Sequence, residues 1–147
     1  MNKHVEKEYK MLVNKEQFDK LCGLYENLNF ITQTNTYYDT VNGDIQKKKG
    51  AMRIRERNGR FLFTLKMRQE NLDGLCECEC EVSENSVHAL QSEEIVQLLH
   101  EYQIEAAIIP LTTLVTKRAV VETENAELCF DISTYGNHTD YEIEYEY

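Results

Sequence analysis

The segment that most clearly could do chemistry is Val-Glu-Lys-Glu-Tyr-Lys-Met at residues 5 to 11. If it forms a strand, side chains alternate between two faces, so Glu6, Glu8 and Lys10 share one side. Paired carboxylates beside an ammonium group supply the hard oxygen ligands and the cation that metal-bound phosphate needs. The segment therefore predicts phosphate chemistry. The alternative is an ordinary amphipathic strand with solvated charges, and other parts of the chain have to decide between the two.

Length and charge narrow the possible functions. The chain has 147 residues, 41% of them hydrophobic, which predicts one compact domain over residues 1–147. The formal net charge of -10 argues against a nucleic-acid partner, because phosphate backbones are bound by an excess of lysine and arginine. The basic residues are nevertheless concentrated, which favours a local anion site. Nine of the sixteen fall in one stretch: Lys47, Lys48, Lys49, Arg53, Arg55, Arg57, Arg60, Lys66 and Arg68.

Cysteine usage predicts a reduced, cytoplasmic location. Five cysteines are present, with no CxxC pair, and the chain shows no secretory signal at its start. Cys76, Cys78 and Cys80 alternate along a predicted strand, so we expect all three to be core residues beneath a helix. A zinc site is the less favoured alternative, because matching ligand spacing is missing. No apolar run approaches the roughly 20 residues that span a bilayer, so no membrane partner is expected.

The periodicity predicts a mainly β (α+β) fold. Strand-like runs cover residues 4 to 13, 35 to 40, 51 to 57, 60 to 68, 75 to 82, 113 to 122, 127 to 133 and 139 to 146. Turn signals occur at Asn42-Gly43, Asn58-Gly59 and Asp73-Gly74, of which the second is the strongest hairpin signal. Two helices interrupt the strands, one capped by Asn14 with Gln17 three residues later, and one capped by Ser92.

Several predicted strands carry one charged face each. Arginines at 53, 55 and 57 alternate with other residues, as do Thr64, Lys66 and Arg68, and as do glutamates at 142, 144 and 146. An open sheet with a solvated side would normally mix signs along such a face. We therefore predict an eight-stranded antiparallel β-barrel or tunnel with a charged lumen and helices packed outside. Such a lumen fits a triphosphate with Mg²⁺ or Mn²⁺, because arginine and lysine bind phosphate oxygens and glutamates bind the cation.

The chain resembles a known family, the CYTH or triphosphate tunnel metalloenzyme family. The resemblance rests on residues spread over almost the whole chain: Glu6-x-Glu8-x-Lys10, Arg53-x-Arg55, Thr64-Leu65-Lys66, Glu79, Glu81, Arg118, Asp131 and Glu142-x-Glu144. It implies an eight-stranded antiparallel tunnel. It also implies activity on inorganic triphosphate, thiamine triphosphate or nucleoside triphosphates, with class IV adenylate cyclases among the members.

The resemblance also implies residue roles. Metal binding is implied for Glu6, Glu8, Glu142 and Glu144, with Glu79 and Glu81 in support. Phosphate binding is implied for Lys10, Arg53, Arg55, Lys66 and Arg118, to which Lys117 is added as a neighbouring candidate. Glu6, Glu8, Lys10 and Arg118 form the implied catalytic set, and Asp131 would orient a basic neighbour. The register is open at two points, because any two of Glu77, Glu79 and Glu81 could match the family's acidic pair. The same holds for Glu142, Glu144 and Glu146 on the last strand.

Two departures from the family pattern bear on activity. Thr116 stands where members often carry a lysine, and alternation places Lys117 on the opposite face. The chain stops at Tyr147, whereas members commonly continue through a helix and a basic strand, so we expect a tunnel that is incomplete at its C-terminus. The expected function is metal-dependent hydrolysis of a terminal phosphoanhydride. The alternatives are ATP cyclisation and binding of a polyphosphate or nucleotide without turnover. Expected partners are a small-molecule triphosphate and, in a homodimer, a second copy of the chain.

Overall fold

The computed structural model describes residues 1–69 and 74–147. Its described residues form nine strands, three α-helices and one 3-10 helix. The strands are β1 (Asn2–Glu6), β2 (Glu8–Val13), β3 (Ile31–Thr40), β4 (Ala51–Arg57), β5 (Arg60–Arg68), β6 (Leu75–Val82), β7 (Ile108–Glu122), β8 (Glu127–Tyr135) and β9 (His138–Glu146). The helices are α1 (Lys15–Cys22), α2 (Asp44–Lys47), the 3-10 helix (His88–Gln91) and α3 (Glu93–Glu101). Within the described ranges, no helix is long and apolar enough to cross a membrane.

The strands follow the order β1-β6-β5-β4-β3-β7-β8-β9-β2. The pairings β4–β5, β5–β6, β7–β8, β8–β9 and β2–β9 are antiparallel, so the predicted mainly antiparallel β fold is confirmed. The strand count differs from the eight predicted. The predicted run from 4 to 13 is divided at Lys7 into two strands with different neighbours, because β1 is adjacent to β6 in the sheet whereas β2 pairs with β9.

One turn prediction is confirmed in detail. Asn58 and Gly59 join β4 to β5 with φ values of 55° and 74°, and Arg57 pairs with Arg60. Two consecutive positive φ values are what a two-residue type I′ hairpin requires. Asn42-Gly43 instead leads from β3 into α2. Of the Asp73-Gly74 signal, Asp73 lies outside the described residues.

The chain divides into two compact units. The first unit contains Met1–Val5 and Asn35–Thr113, and the second contains Glu6–Thr34 and Leu114–Tyr147. Strands β3 and β7 contribute to both units. The predictions of a single domain over residues 1–147 and of a tunnel that is incomplete at its C-terminus stay predictions.

The core of the first unit lies on one face of β4, β5 and β6. Apolar side chains of these strands pack with those of α3 and the 3-10 helix, including Met52, Ile54, Phe63, Leu65, Cys78, Leu90, Ile95, Leu98 and Leu99. Cys76 and Cys80 pack against the same core, so the prediction that the three alternating cysteines are core residues is confirmed. Burial raises the pKa of Cys78 to about 11, which keeps its thiol protonated. Because the apolar residues occupy this face, strand alternation leaves the charged residues on the other.

The core of the second unit is built around Phe18. This side chain is 2% exposed and packs with Ala119, Phe130 and Ile143, which lie on one face of β7, β8 and β9. Helix α1 presents Phe18 because Asn14 begins the helix with the predicted capping box. The Asn14 carboxamide oxygen accepts a hydrogen bond from the Gln17 backbone at 2.8 Å, and the Gln17 side chain accepts one from the Asn14 backbone at 3.1 Å.

Removal of this cap is expected to weaken the second unit moderately. Asn14→Ala should lower the free energy of unfolding by about 1 kcal/mol, because the Gln17 backbone N–H loses the side-chain oxygen that accepts its hydrogen bond. Urea unfolding followed by circular dichroism measures the change. Asn14→Ser is the matched control, because serine also accepts the N-cap hydrogen bond, and an equal loss in both variants would contradict the capping role.

Candidate active site

Four glutamates of the second unit meet at the charged face of β2 and β9, three of them from these strands and one, Glu6, from the end of β1. Glu6, Glu8, Glu144 and Glu146 each offer a carboxylate oxygen, and these oxygens all lie within 4.8 Å of one another. Glu6 and Glu144 are buried, and Glu8 and Glu146 are half-buried. The antiparallel register produces this grouping, because it places Glu8 directly opposite Glu146. We call these four residues the carboxylate cluster.

The cluster concentrates negative charge that requires compensation. Like charges directly opposite each other destabilise a strand pair, and Glu127 of β8 adds a further acid opposite Glu146. The Lys10 ammonium supplies part of the compensation, at 3.6 Å from a Glu8 oxygen and 3.9 Å from a Glu144 oxygen. Four converging carboxylate oxygens are also the donor set that Mg²⁺ or Mn²⁺ prefers. The residues present therefore fit a divalent cation.

Arg118 lies beside the cluster on β7. Its Nε and one terminal nitrogen donate hydrogen bonds to the two carboxylate oxygens of Asp131, both at 2.7 Å. A guanidinium nitrogen also lies 3.6 Å from Glu144. Burial would lower the pKa of Arg118, but the hydrogen bonds and negative charge of Asp131, with the charge of Glu144, raise that pKa above its usual value. The site therefore contains a permanently charged cation held in one orientation.

Glu142, an expected metal ligand, is placed differently. It lies on the same face of β9 as Glu144, but it stands opposite Leu12 on β2 and Asp131 on β8. Burial raises the pKa of Glu142, and the neighbouring Glu144 and Asp131 charges act in the same direction. The structure thus brings together Glu6, Glu8 and Glu144 of the expected set, and groups them with Glu146 rather than Glu142.

The two residues before Arg118 behave as alternation predicts. Lys117 is exposed and lies opposite Ile132, on the face of β7 that carries the apolar core, so it does not border the carboxylate cluster. Thr116 lies on the Arg118 face and is 4% exposed. The Thr116 and Ser133 hydroxyls are 2.9 Å apart and share a hydrogen bond. A neutral hydroxyl pair therefore occupies the position at which members of the family that the chain resembles often carry a lysine.

The first unit carries its own basic face. Arg53 on β4 lies opposite Thr64 on β5, and Lys66 lies opposite Ala51. The Arg53 Nε and the Thr64 hydroxyl are buried, and neither has a hydrogen-bond partner among the described residues. A buried donor without a partner costs free energy unless an acceptor completes it, and an anion would do so. Arg55 is held differently, because its Nε donates to the Asn35 side-chain oxygen at 2.7 Å.

Asn35 is a site residue that the sequence reasoning did not single out. It is 3% exposed and fixes the orientation of Arg55 from the neighbouring strand β3. The available signal was the alternation of polar residues through Gln33, Asn35 and Tyr37, which continues the charged face onto β3.

The three alternating glutamates of β6 separate into different environments. Glu77 is buried, with its carboxylate 3.6 Å from the Lys66 ammonium and 3.3 Å from a His4 nitrogen. Glu79 is half-buried and lies opposite Thr64. Glu81 is exposed and pairs with Arg60. Burial therefore places Glu77 and Glu79, rather than the expected Glu79 and Glu81, on the enclosed part of this face.

The site thus belongs to a class in which antiparallel strands present clustered carboxylates, able to hold a divalent cation, beside an oriented arginine and a lysine. Sequence comparison identifies the lineage: a family model described as the CYTH domain matches residues 4–147, so the chain belongs to the CYTH family. That assignment confirms the resemblance drawn from the sequence motifs.

Individual relatives agree with the assignment. The chain is 35% identical to a Bacillus subtilis (strain 168) protein named "Putative triphosphatase YjbK", over 99% of this chain and 79% of the relative. A Bacillus halodurans crystal structure described as "a putative adenylate cyclase" superposes with a TM-score of 0.88 at 33% identity, covering 100% of this chain and 82% of that one. A Hippeastrum protein described as having "a dominant" triphosphatase activity superposes with a TM-score of 0.72 at 23% identity, covering 97% and 79%. The Hippeastrum likeness shows the fold alone.

Proposed function

We propose that the protein is a divalent-metal-dependent triphosphatase, which hydrolyses the terminal phosphoanhydride of a linear triphosphate. The observation that carries the proposal is the carboxylate cluster, with its four oxygens within 4.8 Å of one another, beside Lys10 and Arg118. Membership of the CYTH family and the name of the Bacillus subtilis relative support a triphosphatase activity. The small-molecule triphosphate is the proposed partner.

The chain's own residues have distinct proposed roles. Glu6, Glu8, Glu144 and Glu146 would hold Mg²⁺ or Mn²⁺, which when bound would neutralise phosphate charge and activate water. Arg118 would bind the equatorial oxygens of a phosphoryl group, because its orientation is fixed by Asp131 before substrate arrives. Lys10 would add a second positive charge beside Glu8 and Glu144.

Three basic residues of the first unit are proposed phosphate ligands in their own right. Arg53 has a buried Nε without a partner, and Arg55 is pre-oriented by Asn35. Lys66 is 13% exposed and lies near Glu77, so it too is held away from bulk solvent. Partly buried cations bind phosphate oxygens more strongly than solvated ones, because water screens them less.

A binding module without turnover is the second candidate. The observation that favours it is the neutral pair formed by Thr116 and Ser133, which supplies no ammonium group to activate water. Such a module would bind triphosphate through Arg118 and Lys10 but release no phosphate. Cyclisation of ATP is a third activity to test, because the Bacillus halodurans relative is described as "a putative adenylate cyclase".

Phosphate release distinguishes these functions. We expect the protein to release phosphate from inorganic triphosphate, ATP or thiamine triphosphate when Mg²⁺ or Mn²⁺ is present, and to stop when the metal is chelated. Measuring cyclic AMP in the ATP reactions tests the cyclase alternative. Tight triphosphate binding without release would instead identify a binding module, and absence of both binding and release would contradict the proposal.

A further inference from the structure

Gln33 is a buried polar residue that the proposed roles leave unused. It lies in β3 of the second unit and is 1% exposed. Within the part of the chain that the structure describes, neither its amide nitrogen nor its amide oxygen has a hydrogen-bond partner. Leaving such a group unsatisfied costs free energy, because the desolvation of the amide is not repaid by a hydrogen bond. A group retained at that cost needs an explanation, and a ligand that completes its hydrogen bonds provides one.

Strand alternation identifies the face on which Gln33 lies. Tyr38 lies five positions after Gln33 on β3, so the two side chains point to opposite faces of the strand. Tyr38 belongs to the apolar core of the first unit. Asn35, two residues after Gln33, accepts the hydrogen bond from Arg55 and therefore lies on the charged face. Because side chains two residues apart on a strand point to the same side, Gln33 also lies on the charged face.

The neighbouring strand brings Gln33 close to the phosphate-binding arginine. Strand β3 is adjacent to β7, and the Thr36 and Thr113 hydroxyls are 3.2 Å apart. The Val41 backbone N–H also donates to the Ala107 carbonyl oxygen, so the chain direction of β7 is opposite to that of β3. Regular antiparallel continuation from the Thr36–Thr113 contact is therefore expected to place Gln33 opposite Thr116. Arg118 is two residues further along β7 and on the same face, so it is a diagonal neighbour of Gln33. The Thr116 hydroxyl shares a hydrogen bond with the Ser133 hydroxyl. This agrees with the lack of a hydrogen-bond partner for the Gln33 amide among the described residues.

We propose that Gln33 is a substrate-binding residue, whose side-chain NH₂ group donates to a phosphate oxygen of the triphosphate held by Arg118. Phosphate oxygens are strong acceptors, and the amide offers two N–H donors at a position where this chain has no ammonium group. The amide adds binding without adding charge, so it complements Arg118 and does not repel it. This inference rests on the proposed triphosphate function.

Calorimetric titration with inorganic triphosphate tests the role of Gln33. The titration is made with EDTA present, so that no metal-dependent turnover occurs. Gln33→Leu should weaken triphosphate binding about tenfold or more, because a hydrogen bond to a charged group is lost. The same variant should have an unchanged or higher unfolding temperature, because it removes an unsatisfied buried amide. Gln33→Met, which is unbranched and similar in length, repeats the test if the leucine variant folds poorly.

Gln97→Leu is the matched control, because Gln97 is exposed on α3 and should leave binding unchanged. Unchanged binding in Gln33→Leu and Gln33→Met, or a loss of stability with unchanged binding, would overturn the inference and indicate a structural amide bonded to water. If the wild type hydrolyses triphosphate with Mn²⁺ but does not bind it in EDTA, the variants are compared by their KM with Mn²⁺, which Gln33→Leu and Gln33→Met should raise about tenfold or more. If the wild type neither binds triphosphate in EDTA nor hydrolyses it with Mn²⁺, the proposed function fails and this inference fails with it.

Discussion

Arg118→Ala is expected to lower both the stability and the activity of the protein by large amounts. Asp131 is 5% exposed and receives two hydrogen bonds from Arg118, so the variant leaves a buried carboxylate without its cation. Breaking a buried ion pair from one side typically costs about 3 to 5 kcal/mol. The side chains of Arg118 and Asp131 are only 16% and 7% exposed, so solvent screening reduces this figure little.

The expected loss of activity has a separate cause. If Arg118 stabilises charge on the phosphoryl oxygens, its removal should lower the rate of triphosphate hydrolysis about 100-fold or more. Removal of a single oriented hydrogen-bond donor from an enzyme active site typically has an effect of this size. Hydrolysis has to be measured at a temperature at which circular dichroism shows the variant folded. Asp131→Asn helps to separate the effects, because it weakens the ion pair but retains the cation for phosphate.

Lys117→Ala provides the control for Arg118→Ala. Lys117 is the adjacent residue, also basic, but it is exposed on the opposite face of β7. Its removal should change the free energy of unfolding by less than about 0.5 kcal/mol and leave hydrolysis intact. A folded Arg118→Ala protein with the wild-type rate, or equal losses in both variants, would contradict the role assigned to Arg118.

Local features of the fold were predictable because neighbouring residues determine them. The Asn14 capping box and the Asn58-Gly59 hairpin each depend on two to four consecutive residues, and both formed as predicted. The charged faces of β4, β5 and β9 also followed from sequence, because strand alternation has a fixed period of two. The cysteines of β6 packed in the core for the same reason.

Features that depend on pairing between distant segments were less predictable. The break at Lys7 separates two strands with different partners, and no turn residue marks it in the sequence. Strand β3 begins at Ile31, whereas the predicted run begins at residue 35. The strand structure of these first residues depends on their pairing with neighbouring strands of the sheet, which the local sequence does not determine. Membership of the carboxylate cluster has the same origin, because the β2–β9 register places Glu8 opposite Glu146 and Leu12 opposite Glu142. A two-residue change of register would preserve the same faces and select different glutamates.

The cluster predicts that metal affinity depends on Glu146 more than on Glu142. Removing one carboxylate from the cluster by Glu146→Gln should weaken Mn²⁺ binding at least about tenfold, the lower end of the range for losing a group that supports a metal site. When Mn²⁺ exceeds its dissociation constant, a tenfold loss of affinity removes about 1.4 kcal/mol of metal-dependent stabilisation. For a chain of this length, the Mn²⁺-induced rise in unfolding temperature should therefore be smaller by roughly 3 to 6 °C.

Glu142→Gln is the matched control, because Glu142 lies on the same strand and face but stands opposite Leu12 and Asp131. It should retain most of the Mn²⁺-induced rise. Scanning calorimetry of each variant, with Mn²⁺ and with EDTA, provides the comparison. A loss in Glu142→Gln that equals or exceeds the loss in Glu146→Gln would favour the ligand set implied by the sequence resemblance.

The effect of Glu8→Gln on the free energy of unfolding should change sign when metal is added. In EDTA, removing Glu8 relieves the repulsion from Glu146 directly opposite, so the variant should be at least as stable as the wild type. With Mn²⁺, the wild type gains binding free energy that the variant has largely lost, so the order of stability should invert. A structural carboxylate would destabilise the protein on removal under both conditions, because its contribution would not depend on the cation. The inversion therefore tests whether the carboxylates are held close together in order to bind metal.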